Sequence, residues 1–253
     1  ASGDKIKVRR LTPDEGAALA IYVPAAALMS QTSDDVSAVY FVLALALDPE
    51  LHVARSLWAQ SLSNAERWDE AIGVLARVPE TSAFYATSRG QIAWALQRSG
   101  RSQSALAVAA EALDHSPDRG LQIQIADLYR AVGRQEQAEA LLTEIIRDDA
   151  SHKREDWRLF YARGVSRGEL GDWPEGERDL LKALALQPDD ASLLNYVGYS
   201  YVDRGEHLDF AMDMIRRAAE MEPNEGYIID SLGWAHYRLG DYETATQHLE
   251  RAV

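Results

Sequence analysis

The sequence of 253 residues contains no cysteine. The chain therefore cannot form a disulfide, bind a metal through thiolates or use a cysteine nucleophile. Chains without disulfides occur in reducing and oxidising compartments alike, so this absence leaves the compartment open. The length suggests one or two domains, and the composition is that of a globular chain.

Basic residues are also few. The chain has 26 Lys and Arg against 40 Asp and Glu, a formal net charge of −14, and only Lys5–Arg10 forms a basic cluster. This charge repels nucleic acids and anionic membrane surfaces, so neither is an expected partner. Long hydrophobic runs are missing too, because the longest, Ala17–Met29, is too short to span a bilayer and contains Pro24. Direct membrane insertion is therefore not expected.

Motifs of catalysis and cofactor binding are absent from the sequence. It has no nucleophile elbow, no P-loop and no G-x-G-x-x-G loop, and its six histidines show no metal-binding spacing on one helix. The acidic pairs Asp34–Asp35, Asp148–Asp149 and Asp189–Asp190 are interpreted as residues of helix starts or loops. We therefore predict that the protein is not an enzyme and has no catalytic residue, metal or cofactor.

The sequence does contain a repeat of about 34 residues. Its clearest internal matches pair Leu170–Trp173 with Leu239–Tyr242, and Leu184–Pro188 with Leu45–Pro49. Between the glycines and prolines that mark turns lie pairs of segments with apolar residues at i, i+3, i+4 and i+7, the periodicity of a helix. Each repeat is thus predicted to be a helical hairpin, and neighbouring hairpins are expected to share a continuous core.

These repeats resemble the tetratricopeptide repeat (TPR) family, whose signature places large, small and aromatic residues at fixed offsets. In the last repeat the signature positions hold Ile229, Leu232, Gly233, His236, Ala245, Leu249 and Ala252. The resemblance implies an all-α fold, a right-handed superhelical α-solenoid of about seven TPR-like helical hairpins. The predicted organisation is an N-terminal arm at 1–17 and a solenoid at 18–253, with units at about 18–51, 52–85, 86–118, 119–152, 157–190, 191–225 and 226–253, the last incomplete.

The same resemblance implies a binding site, because the first helix of each TPR hairpin lines a concave groove. Carried onto this sequence, the ligand-facing positions predict a partner-binding groove of Trp94, Arg98, Asp127, Arg130, Arg158, Tyr161, Asn195, Tyr199, Asp203, Tyr227, Asp230, Trp234, Tyr237 and Arg238. Aromatic and arginine side chains dominate this set and often anchor protein interfaces. TPR domains that clamp a C-terminal carboxylate use Asn at the ninth helix position. Here that position holds residues such as Gln60, Trp94 and Asp127. The expected ligand is therefore an extended or helical polypeptide.

The segment Trp157–Val253 resembles a narrower group, the long bacterial TPR proteins of the Gram-negative envelope. Among them are lipoprotein adaptors that bind a periplasmic carboxyl-terminal processing protease. This resemblance implies a non-catalytic scaffold or adaptor that binds a protein or peptide, presents substrates to such a protease and lies in the periplasm or at the envelope. Two alternatives stay open: a cytoplasmic assembly scaffold, and the repeat region of a larger enzyme.

One segment, Val39–Leu47, is apolar over nine consecutive residues, which is more than one buried helix face requires. Two interpretations stay open. The segment is either a helix buried between neighbouring hairpins or a contact with a partner or second subunit. The sequence thus leaves a homo-oligomer open.

Overall fold

A computed structural model describes residues 10–29, 34–116 and 118–252. All regular secondary structure in these residues is α-helical, which confirms the predicted all-α class. The described helices are α1 (Pro13–Leu28), α2 (Asp34–Leu47), α3 (His52–Asn64), α4 (Trp68–Leu75), α5 (Tyr85–Arg98), α6 (Ser102–His115), α7 (Arg119–Ala131), α8 (Gln135–Ser151), α9 (Trp157–Glu169), α10 (Trp173–Leu186), α11 (Ala191–Arg204), α12 (Leu208–Met221), α13 (Gly226–Arg238) and α14 (Tyr242–Ala252). Residues 1–9 of the predicted arm lie outside the described residues, and α1 begins within the rest of it.

The chain forms two compact units, residues 1–133 and 134–253. In the first unit α1 packs against α2, α3 against α4 and α5 against α6. In the second unit the pairs are α9 with α10, α11 with α12 and α13 with α14. From α3 onward, the helices of each of these pairs are joined by only three residues, so the second helix turns back along the first. The helical hairpins predicted from the periodicity are therefore present in both units.

Most turns inside the hairpins have a glycine in the left-handed backbone conformation. Gly171 and Gly240 have φ angles of 84° and 85°, in the left-handed region that residues with a Cβ atom avoid. Beside Gly171, the backbone N–H of Asp172 donates to the carbonyl oxygen of Arg167 at 2.9 Å, which satisfies the end of α9. The turn after α3 has Glu66 at φ 58° instead, so this residue bears backbone strain.

The acidic pairs differ in their roles. Asp190 caps α11, because its carboxylate accepts a hydrogen bond from the backbone N–H of Leu193 at 2.9 Å. The interpretation of Asp148–Asp149 as residues of a helix start or loop is wrong, since α8 continues to Ser151 and both lie in its last turns. The side chains of Asp34–Asp35 lie outside the described residues.

Small residues of the repeat signature let paired helices approach closely. A Cβ atom added to Gly198 of α11 would lie 2.7 Å from Ile215 Cγ1 and 2.9 Å from the carbonyl oxygen of Ala211, both in α12. Gly233 of α13 has the same relation to Leu249 of α14, with Cγ at 2.8 Å. The signature glycine is therefore needed for helix packing, and any larger residue would push the hairpin apart.

A buried ion network joins α8, α9 and α10. Asp179 of α10 accepts hydrogen bonds from Arg163 Nε and Nη2 at 2.8 and 2.7 Å, and from Arg167 Nη1 at 2.8 Å. Arg167 also donates from Nη2 to Glu139 of α8 at 2.8 Å. The side chains of Asp179 and Arg163 are only 7% and 12% exposed. Charges, in addition to apolar contacts, therefore hold these three helices together.

The apolar segment of α2 is buried on one side only. Phe41 and Ala44 on its inner side are fully buried in the first unit, where α2 packs against α1 and α3. The outer side is exposed and is formed by Val36, Val39, Tyr40, Val42, Leu43 and Leu47. The interpretation of Val39–Leu47 as a helix buried between hairpins is therefore wrong for the described part of the chain.

Candidate functional site

The helices α11 and α13 lie side by side in the second unit. Near their N-terminal ends, the hydroxyl groups of Ser192 and Tyr227 form a hydrogen bond of 2.9 Å. Near their C-terminal ends, Arg238 Nη1 donates to the carbonyl oxygen of Asp203 at 2.8 Å. The two residues of each pair are 35 positions apart in the chain, so the two helices run parallel and in register.

Several predicted groove residues lie at or between these two links. Most follow one another at spacings of three or four residues, and Arg238 directly follows Tyr237, so they share one side of each helix. We call this surface the α11–α13 face. It comprises Asn195, Tyr199, Asp203, Tyr227, Asp230, Trp234, Tyr237 and Arg238.

The side chains of the α11–α13 face differ in exposure. Tyr199, Tyr227 and Tyr237 are 39%, 51% and 48% exposed. Trp234 is half-buried and packs against the hydrophobic core of the second unit, and Asn195 is buried. The surface open to a partner is therefore formed mainly by tyrosines, while Trp234 and Asn195 hold the helices beneath it.

An aromatic cluster extends the α11–α13 face toward α14. The rings of Trp234 and Tyr237 stack with their centroids 5.3 Å apart and an interplanar angle of 14°. The ring of Tyr242 in α14 lies 5.3 Å from that of Tyr237, and the guanidinium of Arg238 lies 5.8 Å from the Trp234 centroid. Tyr242 is not among the predicted groove residues. The sequence feature that could have identified it is a Gly-Asp-aromatic pattern, which occurs at Trp173 as well as at Tyr242.

The turn between α13 and α14 holds this cluster in place. Asp241 Oδ1 accepts a hydrogen bond from the backbone N–H of Thr244 at 3.2 Å, and Oδ2 lies 3.2 Å from His236 Nδ1. Hydrogen bonds from Thr244 and His236 hold the pKa of the Asp241 carboxyl below its ordinary value. The carboxylate is therefore ionised at neutral pH and caps α14 just before Tyr242.

Two polar atoms under the α11–α13 face lack a hydrogen bond. Asn195 Oδ1 and Trp234 Nε1 are buried and have no partner among the described residues. In the first unit, by contrast, Trp94 Nε1 donates to the carbonyl oxygen of Gln124 at 3.2 Å. A buried donor or acceptor without a partner costs free energy, so the packing of α11 against α13 retains a local cost.

Two further predicted residues lie on α9. The guanidinium of Arg158 is exposed and lies 4.9 Å from the ring centroid of Trp157. Tyr161 is half-buried, and its ring meets that of Tyr196 in α11 edge to face at 5.3 Å. Arg158 is thus available to a partner, whereas Tyr161 mainly joins α9 to α11.

The other four predicted residues lie in the first unit. A groove of about 460 Å³ contains Trp94 and Arg98, with the guanidinium 5.9 Å from the indole centroid. Asp127 and Arg130 of α7 do not line this groove and form an ion pair of 3.3 Å with each other. The structure therefore brings together two of these four residues as a groove and leaves the other two beside it.

Carboxamide side chains give the groove of the first unit its polar character. They are Gln60, Asn64, Gln91 and Gln124, from α3, α5 and α7. Apart from Gln60, which occupies a ninth helix position, the sequence pattern does not distinguish them, because glutamine is common on exposed helices. Only the packing of α3, α5 and α7 shows that they share a groove.

Across the described ranges, no helix is both long and apolar enough to cross a bilayer. In those ranges, no three or more histidine, aspartate or glutamate side chains are grouped so that they could hold a metal ion.

Comparison with known proteins places these repeats in a class. Two family models, both described as tetratricopeptide repeat, match residues 161–225 and 227–253. A crystal structure of the APC/C hetero-tetramer Cut9-Hcn1 superposes with a TM-score of 0.62 at 17% identity, over 96% of this chain and 47% of that chain. The fold is thus an α-solenoid of TPR-like hairpins, and the matches support a TPR protein.

Two curated bacterial relatives are similar in sequence. The TPR repeat-containing protein PA4667 of Pseudomonas aeruginosa is 28% identical over 158 residues, which is 62% of this chain and 26% of that protein. A lipoprotein NlpI homolog of Haemophilus influenzae is 37% identical over 89 residues, or 35% of this chain and 28% of that protein. The matched regions are therefore only about a quarter of the length of these relatives.

Proposed function

We propose that the protein is a non-catalytic scaffold that binds a polypeptide partner on the α11–α13 face. The observation that carries this proposal is the set of exposed tyrosines, Tyr199, Tyr227 and Tyr237, held on two helices in register. Tyrosine loses little conformational entropy on binding and offers both an apolar ring and a hydroxyl group. A rigid surface of such side chains favours protein recognition over small-molecule binding.

The exposed charges of the second unit support a polypeptide ligand. Arg158 is exposed on α9, and Asp203 and Asp230 are exposed on the α11–α13 face. A surface with both signs of charge can pair with the mixed side chains of an extended or helical segment. A ligand recognised only through its terminal carboxylate would instead need a cluster of cations.

The finer proposal is that the partner is a carboxyl-terminal processing protease of the bacterial envelope, or a substrate delivered to it. It is supported by the resemblance of Trp157–Val253 to envelope TPR proteins and by the relative named as a lipoprotein homolog. An adaptor that holds a protease and a substrate together raises their effective concentration. The groove of the first unit, with Trp94 and Arg98, is a candidate for the second binding surface.

The test uses variants that remove exposed rings and leave the core intact. We expect Tyr199→Ala with Tyr237→Ala to weaken partner binding at least tenfold, about 1.4 kcal/mol, because both rings belong to the exposed surface. Trp234 is left unchanged, since it packs against the core and its loss would also destabilise the fold. Phe210→Ala on α12 is the matched control, because its ring is similarly exposed, at 51%, outside the α11–α13 face.

Binding is measured by biolayer interferometry with a purified carboxyl-terminal processing protease, and by affinity capture from envelope and cytosolic fractions of the source cells. Loss of binding in the double variant, with the control unaffected and helicity unchanged, supports the proposed face. Equal binding by the wild type, the double variant and the Phe210→Ala control would place the site elsewhere. Capture restricted to cytosolic proteins would support the cytoplasmic assembly scaffold instead.

A further inference from the structure

The outer side of α2 is an apolar surface on the first unit. Between Asp35 and Asp48 the sequence contains no charged residue. Val39 and Leu43 are 58% and 48% exposed, whereas a helix that is apolar all round is normally buried. This surface is therefore expected to be covered in the functional state.

The exposed residues of α2 follow the spacing of a helix-pairing seam. Val36, Val39, Leu43 and Ala46 succeed one another at intervals of three, four and three residues. This is the a and d pattern by which two helices pack side by side. Tyr40 and Leu47 flank this seam on one side, and Val42 flanks it on the other. The outer side of α2 thus has the pattern required to pair with another helix.

Grooves on both sides make α2 a ridge. One groove of about 340 Å³ lies between α1 and α2 and is lined by Ile21, Pro24, Val36 and Tyr40, among others. The other, of about 440 Å³, runs along Val39 and Leu43 toward α3. A ridge beside an apolar groove is complementary to a second copy of itself, because a two-fold axis places each ridge in the groove of the other copy.

Area and the local absence of charge favour a second copy as the occupant. The net charge of −14 opposes association of two copies as a whole, but the outer side of α2 carries no charged residue, so no like charges of α2 meet when two copies pair there. The six large apolar side chains there expose on the order of 500 Å² per copy, so full coverage in two copies buries roughly 1,000 Å², the lower limit for a biological interface. We propose that the protein forms a two-fold symmetric homodimer in which the α2 helices pair antiparallel.

The proposal is tested by measuring the mass of the 253-residue protein in solution. Sedimentation equilibrium at micromolar concentrations is expected to give twice the monomer mass of 28.1 kDa. Leu43→Glu should shift the protein to the monomer, because it places a carboxylate in each of two facing apolar surfaces. Leu181→Glu on α10 is the matched control, since Leu181 is similarly exposed in the second unit, and it should leave the dimer unchanged. Circular dichroism checks that both variants keep their helicity.

A crosslinking experiment covers the case in which Leu43→Glu does not fold. Because the chain has no cysteine, Val39→Cys introduces a single thiol on the outer side of α2. Oxidation should convert it to a covalent dimer, and Leu181→Cys should stay monomeric. A wild-type protein that is monomeric at all concentrations would overturn the proposal. So would a dimer that resists Leu43→Glu, an assembly that grows beyond two copies, or equal crosslinking of both cysteine variants.

Discussion

Replacing Asp179 by alanine removes the carboxylate that faces both Arg163 and Arg167. Three hydrogen bonds of 2.7 to 2.8 Å are lost with it. Arg167 keeps its contact with Glu139, whereas Arg163 keeps a hydrogen bond to the neutral Thr143 hydroxyl at 3.2 Å and its position 6.0 Å from the ring centroid of Phe160. A buried guanidinium would then lack a counter-charge, and breaking a buried ion pair on one side costs about 3 to 5 kcal/mol.

The loss is measured by urea unfolding followed by circular dichroism. With a urea dependence of about 1 to 3 kcal/mol per molar, a loss of this size lowers the midpoint by roughly 1 to 5 M. Two compact units need not unfold together, so amide hydrogen exchange provides the local measurement. Exchange should become faster in α8, α9 and α10, the helices that the network joins.

Two control variants test whether the burial of the charges causes the stability loss of Asp179→Ala. Arg178→Ala removes an exposed ion pair with Glu175 and should change stability by about 1 kcal/mol or less. Combining Asp179→Leu with Arg163→Met, Arg167→Met and Glu139→Leu replaces the network by apolar side chains and should recover most of the stability. If Asp179→Ala is no more destabilising than Arg178→Ala, the argument from buried charge is refuted.

Two further predictions concern packing and pH. Gly198→Ala should lower the free energy of unfolding by about 1 to 3 kcal/mol in thermal denaturation, because the new Cβ atom meets Ile215; an unchanged melting temperature would contradict this. In an NMR titration the pKa of His115 should lie above the usual histidine value because of its hydrogen bond to Glu80, and the pKa of His248 should lie below that value because of burial. A pKa of His248 higher than that of His115 would contradict both assignments. The His115 contact therefore stabilises the fold below the usual pKa and is lost as the pH rises through the raised one, whereas His248 destabilises the fold as the pH falls.

Much of the candidate site follows from the position of each residue in its repeat. Tyr227 and Tyr237 were predicted to face a partner and are exposed on the α11–α13 face. Whether they contact a partner stays a prediction. Repeat position predicts which side of a helix a residue occupies, but it does not predict burial. Asn195 is therefore buried despite its favourable position, and Asp127 pairs with Arg130 outside the groove.

Residues outside the repeat signature were harder to predict. Tyr242 joins the aromatic cluster from the second helix of its hairpin, whereas all the predicted groove residues lie on first helices. Arg167 and Asp179 are ordinary charged residues in sequence, and their burial depends on how three helices meet. The apolar periodicity of a sequence reflects one helix at a time, so it does not predict contacts among three helices.

The sequence by itself determined the helices and the all-α fold, because apolar spacing and the turn glycines depend on local backbone geometry and burial of one helix face. The tertiary structure alone decided which side chains remain open to a partner. Val39 and Leu43 belong to an apolar run that is equally consistent with a buried helix, and only the positions of α1 and α3 show that they are exposed. Exposure depends on neighbours that are distant in the chain, and a local pattern does not contain that information.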